Sequence, residues 1–208
     1  MVIGVKLGSK TLTNGNGVIY ESFIEHVCRQ IALLKREKKK IFLVSSGAVA
    51  CDPCKGRSKN LRAAKGQGKL FRIYDRHLEK EGLEAAQLLL TDRDLTSPYH
   101  TVTENVLWES LDDPCSVPII NANDVVYSRE LKALEQCADN DVLFKLVCQL
   151  VGVDTAVIGV GEKGFCDHMG MRLPVVRRDQ YHKIKGLVRN GNNLGHGQIG
   201  RASCRERV

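Results

Sequence analysis

A mostly parallel β-sheet covered by helices on both faces is what this sequence predicts. Three observations carry the expectation. Short apolar runs rich in Val, Ile and Leu recur along the chain. Longer stretches with apolar residues at i, i+4 and i+7 lie between them, the period of a helix with one buried face. The two kinds of segment alternate, which is the signature of βαβ units and a parallel sheet.

The elements follow in order. "VIGVKL" (2–7) reads as a strand and Gly8 to Gly17 as a polar, glycine-containing loop. A helix is expected from about Val18 to Lys38, with Val27, Ile31 and Leu34 on one stripe. "KKKIFLV" (38–44) is the second strand, and it leaves into the small residues "SSGAVA" (45–50). "CDPCKGRSKN" (51–60) reads as a loop and Leu61 to Lys80 as a long helix with Leu70, Ile73, Tyr74 and Leu78 on one side. "LEAAQLLL" (83–90) is a third strand, Glu104 to Leu111 a helix and "SVPII" (116–120) a fourth strand. "DNDVLFKLVCQLVG" (139–152) opens with good helix-capping residues, and "DTAVIGV" (154–160) is a fifth strand.

Composition narrows the class. With 208 residues, 43% hydrophobic and 26% charged, the chain suits one soluble globular domain. No apolar run approaches the roughly 20 residues that span a bilayer, so no membrane partner is expected. No export signal is read at the N-terminus. The eight cysteines are irregularly spaced and are expected as reduced thiols in the cytoplasm, with Cys51-x-x-Cys54 incidental. The net charge is +7, part of it from "IGRASCRERV" (199–208), which resembles a translated sequencing-adapter tail and is set apart from the fold. The mildly basic remainder is a weak argument for nucleic acid and a better one for an anionic substrate.

Ligands of open α/β sheets bind at the carboxyl ends of strands. Small residues there let a ligand reach the backbone, so "SSGA" reads either as an ordinary turn or as the floor of a site. "VKLGSKTLT" (5–13) puts a lysine and then glycine and hydroxyls after the first strand, a combination suited to phosphate. It is not a P-loop: Gly4 and Gly8 are separated by three residues, and Ser9 stands between Gly8 and Lys10. Lys6 reads either as a solvated edge-strand lysine or as a functional cation among apolar neighbours. Asn121, Asn123 and Asp124 follow one strand, and Asp139, Asn140 and Asp141 open one helix. Helix capping accounts for Asp139 or Asn140 singly, but not for two such clusters. The basic stretch from Lys55 to Lys69 reads either as a solvated helix face or as a nucleic-acid patch with few aromatic residues to stack on bases.

Taken together, "VKLGSKTLT", "LVSSGAVA", "AAKGQGKL", "AQLLLTDRDL", "VPIINAND" and "ADNDVLFKLVCQLVGVD" resemble the glutamate 5-kinases of the amino acid kinase family. The resemblance implies a three-layer αβα sandwich with a mainly parallel central sheet. It also implies transfer of the γ-phosphoryl of ATP to the side-chain carboxylate of L-glutamate, the first step of proline biosynthesis. By motif match, Lys6 would stabilise the transferring phosphoryl and Gly8 would lie in the phosphate loop. Ser46 and Gly47 would bind near the reacting carboxylate. Asp124 and Asn140 would hold the amino acid with Asp139 nearby, and Asp141 would orient the catalytic lysines. Mg²⁺ would arrive on the nucleotide phosphates rather than in a protein metal site, and the parent protein would be a homo-oligomer.

The chain also departs from the family pattern. Ala122 stands where an acidic residue is usual, and Val160 and Gly161 occupy the nucleotide-side positions of a Thr-Asp pair. The family's "GTGGM-x-T-K" segment, with a second phosphate-neutralising lysine, does not follow "NLGHG" (193–197). The expectation is therefore an amino acid kinase domain over residues 1–198, incomplete at its C-terminal side and inactive as this chain. The alternatives are another amino acid kinase acting on a different carboxylate or phosphate, and a non-enzymatic nucleic-acid binder using residues 55–72.

Overall fold

A computed structural model describes residues 1–14, 17–91, 93–96, 98, 100–126 and 140–159. Five strands form one sheet: β1 (Val2–Leu7), β2 (Lys40–Ser45), β3 (Glu84–Leu90), β4 (Ser116–Ala122) and β5 (Thr155–Gly159). Their order is β3-β4-β2-β1-β5, and every pairing is parallel. The helices are α1 (Ser9–Leu12), α2 (Glu21–Arg36), α3 (Lys59–Glu79), α4 (Arg93–Thr96), α5 (His100–Asp112) and α6 (Asn140–Val151).

Both sheet faces are covered, as alternating apolar strands require. On one face Ile24, Cys28 and Ile31 of α2 and Leu70, Tyr74 and Leu78 of α3 pack on Ile3, Leu7, Ile41, Leu43, Val117 and Ile119. On the other, Leu107 and Leu111 of α5 and Leu143, Phe144 and Val147 of α6 pack on Val2, Phe42, Val44, Leu88 and Ile120. The three-layer parallel arrangement is the one expected. Adjacent residues of β2 (Ile41 and Leu43 against Phe42 and Val44) feed opposite cores, which is why the strand reads as one continuous apolar run.

The helices that follow β1 and β2 lie on one face, and those that follow β3 and β4 lie on the other. The reversal falls between the neighbouring strands β2 and β4, the place where an open α/β sheet leaves a crevice at its carboxyl edge. Their ladder is short, registering only Leu43 with Ile119 and Val44 with Ile120.

Several boundaries differ from expectation. The segment read as a loop from Gly8 to Gly17 holds the one-turn α1, whose Thr11 and Leu12 N–H groups both bond the Gly8 carbonyl, and an isolated bridge joins Thr13 to Ile19. Helix α2 begins at Glu21 rather than near Val18, because Val18 and Ile19 are used by this turn. Helix α3 starts two residues early, since the Ser58 hydroxyl accepts the Leu61 N–H as an N-cap. A 3₁₀ turn over Val49–Cys51 and the short α4 were not legible as helices. Leu12 is fully buried, so the turn that carries it is fixed by packing more than by local preference.

Candidate active site

Lys6 lies near the end of β1, with β2 on one side and β5 on the other, and it is 2% exposed. The edge-strand reading of this lysine is therefore wrong: its strand is interior and its ammonium is turned away from bulk water. A buried ammonium needs a counter-charge. Asp141, in the first turn of α6, supplies it, with Oδ1 2.5 Å from Lys6 Nζ. The carboxylate keeps about a quarter of its side chain in contact with solvent (24%), so the pair has an open side.

The end of β2 is held beside the end of β1, where the Ser46 N–H bonds the Leu7 carbonyl at 2.9 Å. Gly47 then takes φ +107°, a conformation that L side chains rarely adopt. A β-carbon there would also meet the Ile19 side chain at 3.3 Å. This answers why a core strand should end in small residues: the chain turns sharply above a packed floor.

Asn140, first residue of α6, does not spend its side chain on capping. Its amide nitrogen donates to Ser46 Oγ at 2.8 Å, and its oxygen accepts the Ala122 N–H at 3.1 Å. It thus joins the ends of β2 and β4 just beyond their short ladder. Lys6, Ser46, Asn140 and Asp141 form a closed circuit through the β1–β2 ladder, the α6 backbone and two side-chain contacts.

Asp124 is placed differently. It lies on the turn after β4 and is tied to α3, with Lys59 Nζ 3.7 Å from its carboxylate and the Asn60 amide donating to its carbonyl at 3.0 Å. Gly8 starts α1 next to the end of β5, to which Thr11 Oγ1 donates through the Gly159 carbonyl at 3.1 Å. Asp139, Val160 and Gly161 lie outside the described residues.

The basic stretch is largely occupied with its own protein. Arg57 makes two 3.0 Å contacts with the Asp52 carboxylate. Arg62 donates to the Val49 and Asp52 carbonyls, and Lys69 reaches the Cys51 carbonyl. Burial works to raise the Asp52 carboxyl, and the Arg57 guanidinium and the Cys54 N–H overcome it, holding it below the ordinary carboxylate value. These cations clamp the segment that follows Gly47. Helix α3 can approach so closely because residue 66 is glycine: a β-carbon there would fall 1.8 Å from the Ala48 carbonyl oxygen.

Sequence reasoning missed Asn60, Arg62, Gly66 and Gln67 as supports of this corner. A signal was available for Gln67, a polar residue on the same helical stripe as the buried Ala63, Leu70 and Tyr74. In the Cys-x-x-Cys, burial pushes the Cys51 thiol up to about 11, the opposite of an activated thiol.

Comparison with known proteins agrees with this architecture. Residues 1–194 match the amino acid kinase family. The chain is 34% identical over 163 residues to glutamate 5-kinase of Clostridium acetobutylicum, covering 74% of this chain and 60% of that protein. It is 35% identical over 194 residues to glutamate 5-kinase 1 of Bacillus licheniformis, covering 86% and 50%. Against the glutamate 5-kinase of Geobacter metallireducens it is 31% identical over 212 residues, covering 94% and 55%. The chain thus spans about half the length of the curated relatives it matches. With a family match along nearly all of its length and a parallel sheet whose carboxyl edge gathers a buried lysine, a serine-glycine corner and an Asn-Asp pair, the chain belongs to the amino acid kinase family.

Proposed function

We propose that the protein of this chain transfers the γ-phosphoryl group of ATP to the side-chain carboxylate of L-glutamate. The observation that carries the reading is the circuit of Lys6, Asp141, Asn140 and Ser46 at the reversal point of the sheet. Phosphoryl transfer asks little covalent chemistry of a protein; it asks for in-line placement and for positive charge where negative charge spreads. Lys6 offers that charge. Asp141 fixes its direction and leaves the ammonium's remaining protons for phosphoryl oxygens. The attacking carboxylate is already ionised at neutral pH, so no general base is needed.

Ser46 and the backbone around Gly47 supply donors for the reacting carboxylate, and Asp124 and Asp139 supply negative charge for the amino group of the amino acid. Gly8 and the turn after β1 are assigned to the nucleotide, together with Val160 and Gly161. Mg²⁺ enters with the nucleotide: Asp141 and Asp124 each face a lysine, which suits a metal held by phosphate oxygens rather than by this chain's carboxylates. Residues 1–198 are assigned to the kinase domain, and 199–208 are not counted in it.

Isothermal titration of the chain with L-glutamate, L-aspartate, N-acetylglutamate and carbamate tests the substrate, and hydroxamate formation with ATP tests the transfer. Preference for L-glutamate with ATP-dependent hydroxamate formation is the expected result. Preference for another acceptor overturns the glutamate assignment, and absence of ATP-dependent hydroxamate overturns the transfer.

A further inference from the structure

Helix α3 is not part of the circuit described above, yet one of its side chains is wired into it. Gln67 Oε1 accepts a hydrogen bond from Asn121 Nδ2 at 2.9 Å. Asn121 is 2% exposed, so its amide has no water to fall back on. Its own oxygen accepts the Ala122 N–H at 2.9 Å. That same N–H is shared with Asn140 Oδ1 at 3.1 Å, and Asn140 Nδ2 ends the series on Ser46 Oγ.

The polarity of this series is fixed by its first and middle members. An amide has two unlike ends, one accepting and one donating. The Ala122 N–H can only donate, so both asparagines must turn their oxygens toward it. Both NH₂ groups then point outward, one to Gln67 and one to Ser46. Ser46 Oγ receives a hydrogen bond from Asn140, and its own proton is left for an acceptor in the crevice. Remove the acceptor at position 67 and a buried NH₂ loses its partner. Flipping Asn121 would set its NH₂ against the Ala122 N–H, so the side chain must instead shift in search of another acceptor, and that movement disturbs the shared N–H and with it the arrangement at Asn140.

We propose that Gln67 is a positioning residue that, through Asn121 and Asn140, sets the Ser46 hydroxyl as a hydrogen-bond donor to the distal carboxylate of the acceptor. This rests on the functional reading above for the identity of that acceptor. The role needs an acceptor atom at position 67, not a particular volume. Gln67→Glu keeps one and Gln67→Met does not.

The test uses the full 208-residue chain in two arms. In the first, ligand-free ¹⁵N–¹H spectra follow the Asn140 side-chain NH₂ pair and the Ala122 N–H. Gln67→Met should shift both, and Gln67→Glu should leave them near their wild-type positions. Shifts confined to Asn121, or equal shifts in both variants, overturn the relay. Ser46→Ala read from the other end provides an independent check should Gln67→Met fold poorly: it should move the Asn121 NH₂ pair, and no movement overturns the relay. In the second arm, Gln67→Met should weaken L-glutamate binding about tenfold, the usual effect of one buried unpaired amide. Gln67→Glu should restore it. Wild-type binding with no loss in Gln67→Met overturns the role at Ser46, whereas failure of the wild-type chain to bind glutamate overturns the substrate reading and leaves the spectra to decide the relay.

Discussion

Asp141 concentrates two duties in one side chain. It neutralises an ammonium that is almost wholly buried, and in the proposed transfer it orients that ammonium. Breaking a buried ion pair by removing one partner is costly because the other charge stays behind. Asp141→Asn should therefore destabilise the fold by up to about 3 kcal/mol, toward the low end for such pairs because one side of the carboxylate is wet. Thermal or urea unfolding measures this, and Lys6→Met together with Asp141→Asn should recover much of the loss. A double variant no more stable than Asp141→Asn alone would show that the pair does not govern local stability. Lys6 was legible as a candidate because a lysine among Gly, Val and Leu calls for a reason. Its partner was not assignable from spacing, since 135 positions separate the two residues in the chain and only the fold joins them.

At the scale of elements, α3 braces the chain just beyond the ends of β2 and β4. It holds the segment after β2 through Arg62 and the close approach at Gly66, and the turn after β4 through Asn60 and Lys59. Gly66→Ala would drive a methyl group into the Ala48 carbonyl. It should cost about 1–3 kcal/mol, as overpacking does, and it should loosen residues 46–52. Hydrogen exchange of that segment, compared with the distant strand β3, is the measurement. Uniform loss across both would mean general destabilisation instead of a local brace. The strands were readable from sequence because residues covered on both faces leave an uninterrupted apolar signature, as in β2 and β4. The long helices were readable from the stripes of α2 and α3. The short α1, the 3₁₀ turn and α4 were not, because pieces of three or four residues carry no periodicity and depend on tertiary anchors such as Leu12 and Leu95. The same limit hid the brace: a run of Lys and Arg looks like a solvated face until the carbonyls it reaches are known.

Across the whole molecule, the thiols report how closely the two cores are packed. Burial pushes Cys28 and Cys148 up to about 12 and Cys51 to about 11. Thiolate, not thiol, is the reacting species, so these three should resist alkylation at neutral pH. Cys54 and Cys115 are exposed and should label first, as read by mass spectrometry after brief iodoacetamide treatment. Early labelling of Cys28 would contradict the packing of α2 on the sheet. The strand order has a further consequence for the newborn polypeptide. Strand β1 is made before its neighbours β2 and β5, and its lysine finds a counter-ion only at residue 141. Until residue 141 has been synthesised, that ammonium must stay hydrated. The charge pair at the carboxyl edge of the sheet is thus completed only when segments far apart in sequence meet.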